Sequence, residues 1–236
     1  MAEIDCAGRS VREINAEIRS AIGLGDTSIA VKNPAARHNL GVAILKPANV
    51  KFDGSVGYYC GGLMDGPTLE IAGSAGWGVA ESMLSGTVVV RGSAGNGAAA
   101  AIRGGTVVIH GDAAARLAVS IKGGLALVAG NCGYMAGFMG QKGTIIVCGD
   151  TGEAFADSMY ATVCFVGGRI GGLGTDAVVA SPADEDAAMI DSALSRYLSD
   201  DERKAKPVGR EFKKVVAGRK LWNFDKRDWA VWQEAL

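Results

Sequence analysis

The chain has 236 residues, is 48% hydrophobic and carries a formal net charge of −1. This near-neutral composition indicates a folded protein and argues against nucleic acid or an anionic membrane as a partner. No apolar run approaches the ~20 residues of a membrane span. The N-terminus, with Asp5 near its start, lacks the apolar core of a secretion signal, so a cytoplasmic location is expected.

Residues 1–27 are predicted to form a helical N-terminal extension. Ser10 and Glu13 stand at the spacing of a capping box. Apolar residues then recur on one helix face as far as a plausible stop at Gly23. They are Val11, Ile14, Ile18 and Ile22.

A repeat of 19 residues dominates the chain between Gly54 and Gly171. Each repeat contains glycines suited to tight turns and one short run rich in β-branched residues, such as Thr87–Val90 or Thr106–Ile109. A fixed period with one strand per repeat is typical of a stacked β architecture, in which successive coils lie about 4.8 Å apart. Because Asn49–Phe52 holds the strand position one period earlier, residues 28–180 are predicted to form a parallel β-helix of about seven coils.

Strand alternation predicts which side chains face the interior. Leu69, Ile71 and their equivalents in later repeats are apolar, so they are expected to stack inside. The outward position between them holds Glu70 first and then a stripe of five apolar residues: Val89, Val108, Leu127, Ile146 and Phe165.

A stripe of this kind would cover about 20 Å of the solenoid's outer surface and is not expected to be left in water. Either the chain's own terminal helices cover it, or a partner protein docks on it. Both alternatives are open from the sequence, and the five residues are the candidate partner-docking surface. If a partner docks there, a charged replacement at Leu127 should weaken assembly and leave the isolated solenoid folded.

Residues 181–236 are expected to form a helical tail with a basic, aromatic end. Ser181 and Pro182 have the pattern of an N-cap followed by proline in the first turn, and the helix is predicted to run to about Leu198 with Ile190, Leu194 and Leu198 on one face. The chain ends with four aromatic residues, Trp222, Phe224, Trp229 and Trp232. Because tryptophan and arginine are favoured interface anchors, this tail is expected to pack on a neighbouring surface.

The sequence offers few candidates for catalysis. His110 occupies an outward strand position and is interpreted as incidental. His38, within the turn Asn33–Asn39, is the better candidate, although a structural hydrogen bond is the simpler explanation. No Ser/His/Asp set or metal-ligand cluster can be assembled at sensible spacing, so no catalytic, cofactor-binding or metal-binding residue is assigned. The cysteines are expected to be buried free thiols, in particular Cys132, Cys148 and Cys164.

The corners of the coils are interpreted structurally. Carboxylates such as Asp112 and Asp150 are treated as scattered, solvated corner residues. The small residues around Gly76–Gly78 and Gly95–Gly97 are expected to let another backbone approach closely.

The repeat unit, Gly-x-x-Gly with small residues and then Gly-Thr-Val-Val-Val-x-Gly, resembles the GXGXG domain that closes the large chain of glutamate synthase. A similar domain forms one of the subunits of formylmethanofuran dehydrogenase and of the formyltransferase/hydrolase complex. The resemblance covers roughly residues 28–180 and implies a right-handed parallel β-helix. The expected fold class is therefore mostly β, with helical N- and C-terminal extensions.

Three further stretches resemble the small glutamate-synthase-like subunit of the N-methylglutamate synthases: Asn33–His38, Gly57–Gly61 and Arg219–Asp225. The resemblance implies a hetero-oligomer with two partners. One is a class II glutamine amidotransferase-like chain, and the other is a glutamate-synthase-like chain that holds FMN and an iron–sulfur cluster. Such a complex makes N-methylglutamate from glutamate and methylamine and releases ammonia.

No catalytic residue of the family maps onto this chain. The chain is therefore expected to be a scaffold with no cofactor of its own, which docks the two partners and could help to form a path for ammonia or methylamine. Two alternatives remain. One is the GXGXG subunit of a formylmethanofuran dehydrogenase or formyltransferase/hydrolase complex, and the other is a free-standing ligand-binding solenoid.

Overall fold

The computed structural model describes residues 2–218 and shows a β-solenoid of about seven coils, as the repeat predicts. Nine strands pair in parallel in the order of the sequence. In the repeat, each residue pairs with the residue 19 positions later, for example Val88 with Val107. The nine strands are β1 (Ala2–Asp5), β2 (Ser28–Lys32), β3 (Asn49–Phe52), β4 (Thr68–Ile71), β5 (Thr87–Val90), β6 (Thr106–Ile109), β7 (Leu125–Val128), β8 (Lys142–Val147) and β9 (Ala161–Val166).

The N-terminal extension contains the predicted helix and also a strand. Helix α1 spans Val11–Gly23, and Ser10 and Glu13 form the predicted capping box. Strand β1 precedes the helix and pairs with β2, so the first residues extend the solenoid rather than lie outside it. The side chain of Asn15 fastens α1 to the first coil, because it donates to the backbone oxygen of Asn39 at 2.7 Å and accepts from Gly41 N at 2.8 Å.

Stacked apolar side chains fill the interior of the solenoid, as strand alternation predicts. Leu69, Ile71 and the equivalent residues of later coils are buried. A second interior row comes from the turns between strands and contains Met64, Met83, Ile102, Ile121 and Met159. One continuous core therefore runs from α1 to the last coil.

The turn segments between the strands are built from an unusual backbone. In the second coil Tyr59, Gly61 and Leu63 all have positive φ, and the same alternation recurs in later coils. Their amides bond alternately to the following and preceding coils, as in Tyr59 N to Trp77 O at 2.7 Å and Gly61 N to Leu40 O at 3.0 Å. We call the outer surface of these segments the turn face; it comprises residues 39–46, 58–65, 77–84, 96–103, 115–122, 134–141 and 153–160.

The C-terminal segment folds back over the last coils. Strand β10 (Ala177–Ala180) and strand β11 (Lys213–Ala217) pair antiparallel, and β11 lies beside β9. Between them come helix α2 (Asp184–Tyr197), the short helix α3 (Asp200–Lys204) and a 3-10 turn at Gly209–Glu211. The predicted helix is confirmed but begins at Asp184, three residues after Ser181. The four aromatic residues from Trp222 to Trp232 lie outside the described residues.

Among residues 2–218, no helix combines the length and the apolar character that crossing a membrane requires.

All five cysteines are free and buried, which confirms their interpretation as buried thiols. Burial raises the pKa of each thiol, to about 11 for Cys148 and about 12 for Cys132. Because the thiolate is the reactive form, we expect the folded chain at neutral pH to resist alkylation and the denatured chain to take up five labels. Mass spectrometry after iodoacetamide treatment measures both. Rapid labelling of any cysteine in the folded chain would contradict the burial.

Candidate partner-docking surfaces

The predicted docking stripe lies beneath the chain's own C-terminal segment. Val108, Leu127, Ile146 and Phe165 are almost completely buried, and Val89 is half-buried. Their side chains form one cluster with the apolar face of α2, the residue that follows α2 and the residue after the 3-10 turn: Ile190, Ala193, Leu194, Leu198 and Phe212. Of the two alternatives, coverage by a terminal helix is the one observed, so the stripe is not an open docking surface.

A polar contact holds the same segment beside the stripe. His110 Nδ1 lies 2.5 Å from Oε1 of Glu202 on α3, and its Nε2 lies 3.1 Å from Nη1 of Arg91. Because arginine can only donate, Nε2 accepts from Arg91 and the ring proton on Nδ1 is donated to Glu202. The His110 side chain is only 6% exposed. The interpretation of His110 as incidental is therefore wrong, since this residue joins the solenoid to α3.

We expect this contact to make the attachment of α3 sensitive to acid. Burial raises the pKa of Glu202, but hydrogen bonds from His110 and Ser199 outweigh it and lower the pKa from 4.5 to about 2. A carboxylate with a lowered folded-state pKa stabilises the fold above its unfolded pKa and loses that contribution as the pH falls toward the folded value. The free energy of unfolding should therefore fall between about pH 4.5 and pH 2.

Urea unfolding across this pH range tests the expectation with two variants. Glu202→Gln should flatten the acid dependence relative to the unmodified chain. Glu185→Gln removes an exposed carboxylate of α2 and should leave it unchanged. Equal pH profiles for the unmodified chain and Glu202→Gln would show that Glu202 does not contribute.

Three rings stack along the turn face at its N-terminal end. His38 lies 4.3 Å from Tyr58 between ring centroids, and Tyr58 lies 5.2 Å from Trp77. The His38 ring also accepts a hydrogen bond from Tyr58 N at 2.9 Å, so the structural explanation for His38 is confirmed. About half of the Trp77 side chain is exposed, as are substantial parts of Tyr58 and neighbouring Tyr59. These rings form a rigid apolar surface.

Glycines of the next coil make room for these rings. A Cβ atom at Gly95 would lie 2.6 Å from Cδ1 of Trp77, and one at Gly78 would lie 2.5 Å from the Tyr59 ring. The expectation that these corners admit another backbone is therefore wrong at Gly76, Gly78 and Gly95, because the chain's own rings lie there. Gly97 remains open, since no atom lies closer than 4.0 Å to the position that its Cβ would take.

A row of polar side chains lines the corner before the turn face. Each accepts a hydrogen bond of 2.7–3.2 Å from the backbone amide 19 residues later; the acceptors are Ser55, Ser74, Ser93, Asp112, Asn131 and Asp150. Of the carboxylates interpreted as scattered, which also include Glu81, Glu153 and Asp157, Asp112 and Asp150 thus belong to an ordered row that links successive coils. Their recurrence at the 19-residue period was the signal in the sequence.

The described residues hold no assembled catalytic or metal-binding set. Neither histidine forms a hydrogen bond with a serine or cysteine side chain among residues 2–218. In the same range, no group of three His, Cys, Asp or Glu residues is placed to hold a metal ion. The solenoid has two outer faces of interest: the turn face, with its exposed aromatic rings, and the strand face, which α2 covers.

Comparison with known proteins identifies relatives of this chain. The chain is 46% identical to Protein GlxC of Rhizobium meliloti (strain 1021) over 226 residues, which cover 95% of this chain and 97% of that protein. It is also similar to a chain in the crystal structure of the formyltransferase/hydrolase complex from Methylorubrum extorquens with methylofuran. That match has a TM-score of 0.65 and 25% identity, and covers 76% of this chain and 70% of the other. The family model of the GXGXG motif matches residues 26–179. With a 19-residue repeat, a β-solenoid fold and this match over most of its length, the chain belongs to the GXGXG family.

Proposed function

We propose that this chain is a non-catalytic scaffold subunit of a glutamate-synthase-like complex. The observation that carries the proposal is the solenoid's construction: apolar side chains fill its interior, so its chemical groups face outward along rigid surfaces. Such a body suits the positioning of other subunits better than chemistry of its own. The structural match to a chain of a solved multi-subunit complex supports a hetero-oligomer.

Within the family, the proposed complex is an N-methylglutamate synthase. Support comes from the resemblance of the Asn33–His38 turn and the Gly57–Gly61 stretch to the small glutamate-synthase-like subunit of those enzymes. The partners would be a class II glutamine amidotransferase-like chain and a synthase-like chain that holds FMN and an iron–sulfur cluster. The scaffold would hold these partners in a fixed relation and border the path of ammonia or methylamine between them.

A second candidate is the corresponding subunit of a formyltransferase/hydrolase complex. The structural match to a chain of that complex, which covers 76% of this chain, supports this alternative. Both candidates make the chain a scaffold, and they differ in the subunits that accompany it.

Purification of the tagged chain from its native host tests the proposal. Native mass spectrometry should show an amidotransferase-sized subunit and a larger synthase-like subunit, and the absorbance spectrum should show flavin and iron–sulfur bands. Turnover of glutamate with methylamine would identify an N-methylglutamate synthase, whereas formyl transfer by the purified complex would favour the second candidate. A colourless chain that purifies alone would contradict the scaffold role.

A further inference from the structure

The turn face is where apolar side chains remain exposed. Eight of the fourteen exposed large hydrophobic residues among residues 2–218 lie on it. They are Leu45, Tyr58, Tyr59, Leu63, Trp77, Leu84, Tyr134 and Met139. The strand face differs, because its apolar stripe is already buried under α2. An apolar concentration on one face of a soluble chain marks an interaction surface.

The turn face is basic over the three coils at residues 96–141, whereas the next coil carries Glu153 and Asp157. Between residues 82 and 149 the sequence has five Lys or Arg residues and a single acid, Asp112. Arg91 and Asp112 are engaged elsewhere, at His110 and at Asn131. The remaining four basic residues are Arg103, Arg116 and Lys122 on the turn face and Lys142 at its edge, at the start of β8. Within the part of the chain that the structure describes, none of the four forms an ion pair.

Three of these four residues occupy successive coils near the same edge of the turn face. The amides of Arg103, Lys122 and Lys142 each bond to the coil before, at 2.8–3.2 Å. Their backbones are therefore about one coil spacing, ~4.8 Å, apart, and the three charges repel one another. Within residues 2–218 this row has no counter-charge, so it is complementary to a surface that supplies carboxylates.

We infer that the turn face is the docking surface for a partner subunit, and that the docked surface of this partner presents carboxylates to the basic row and apolar side chains to the aromatic stack. The inference rests on the proposed scaffold function and names the face that this function uses. Charge complementarity selects the occupant, because a chain with net charge −1 places four cations on or beside this face, none of which forms an ion pair within residues 2–218. Between the aromatic and basic halves lie small side chains, including Ala101 and Ala115, over which a partner can approach closely.

Two variants of the turn face test the inference in the assembled complex. Arg103→Glu with Lys122→Glu reverses two charges of the basic row, and Trp77→Ala removes the ring at the exposed end of the stack. We expect each to weaken binding of the partner about tenfold or more, since tryptophan is a favoured interface anchor and charge reversal repels acidic surfaces. Binding by the unmodified chain should also weaken as salt is raised.

Matched controls make the same charge reversals, and shorten a different exposed apolar side chain, on other surfaces. Arg12→Glu with Lys51→Glu reverses two exposed charges away from the turn face, and Leu24→Ala shortens an apolar side chain that is 87% exposed. Both should bind the partner as the unmodified chain does. Circular dichroism and gel filtration of every variant establish that the solenoid is folded, as expected because Lys122 is half-buried and the other substituted side chains are exposed.

The outcomes separate the inference from the proposed function. If the unmodified chain purifies without another subunit, the scaffold function fails and the inference fails with it. If the complex forms and the turn-face variants assemble like the controls, only the inference is overturned. Self-association of the chain through the turn face, or binding of an oligonucleotide there in place of a subunit, would also overturn it.

Discussion

Replacing Leu127 with glutamate is expected to detach the C-terminal segment and to lower the free energy of unfolding by about 3–5 kcal/mol. The Leu127 side chain is fully buried between the strand face and α2. The variant removes its apolar contacts and places a carboxylate in a cluster of Ile, Leu and Phe side chains. A charged side chain at position 127 needs water, and it can reach water only if α2 moves away from the strand face of the solenoid.

Limited proteolysis and hydrogen exchange measure this detachment, and urea unfolding measures the free energy. Residues 181–218 should become accessible to protease while the strands of the solenoid remain protected. Leu127→Met is the matched control, because it keeps the volume and apolar character of the side chain and should cost about 1 kcal/mol at most. A Leu127→Glu chain that is as stable and as resistant to protease as the control would show that α2 does not cover the stripe in solution.

The expected loss of stability differs from the effect of the same Leu127 substitution that the sequence alone predicts. If a partner covered Leu127, the charged variant would leave the isolated chain stable and lose only assembly. The outward strand position shows that something must cover five apolar residues, but not which segment does so. The sequence predicts the apolar helix face formed by Ile190, Leu194 and Leu198, which is of the kind that could cover the stripe. The sequence does not show in which direction the chain runs after β9, so it does not show that this face packs on the stripe.

The repeat itself could be predicted in detail because parallel stacking repeats each environment. The same interior position holds Val88, Val107, Ala126 and Ile145 in successive coils, so apolar residues recur there and the period becomes visible. Strand β1 could not be predicted in this way, because its four residues precede the repeat. The contact of His110 with Glu202 joins residues 92 positions apart, and no local pattern indicates it.

The backbone conformation of the turn face could not be predicted from the sequence. Positive φ is expected at glycine, yet Ala80, Ala99 and Ala118 adopt it at the same position of successive coils. Their left-handed conformation costs roughly 1–2 kcal/mol per residue. It persists because their amides bond to the coil before at 2.7–2.9 Å, as Ala99 N does to Val79 O. The sequence shows that a small residue is needed here but not that the backbone is left-handed, since alanine is compatible with helix, strand and turn.

Close backbone contact between coils leads to the second large effect: Gly105→Ala is expected to lower the free energy of unfolding by about 3–4 kcal/mol. Gly105 has φ of +78°, and a Cβ atom there would lie 2.4 Å from the backbone oxygen of Gly86 in the coil before. Gly124 stands in the same relation to Gly105, so the backbones of three coils contact one another at this corner. The added methyl group must separate coils that the strand hydrogen bonds on either side hold together.

Gly97→Ala is the matched control, because Gly97 has φ of +70° but no atom closer than 4.0 Å to the added Cβ. It carries the conformational cost of a left-handed alanine without the collision, so a loss of about 1 kcal/mol is expected. The difference between the two variants in urea unfolding isolates the contact between coils. Equal losses would mean that the coils can move apart at this corner without cost. A larger loss for Gly105→Ala would establish that backbone contact between coils, and not the glycine conformation alone, fixes glycine at this position of the repeat.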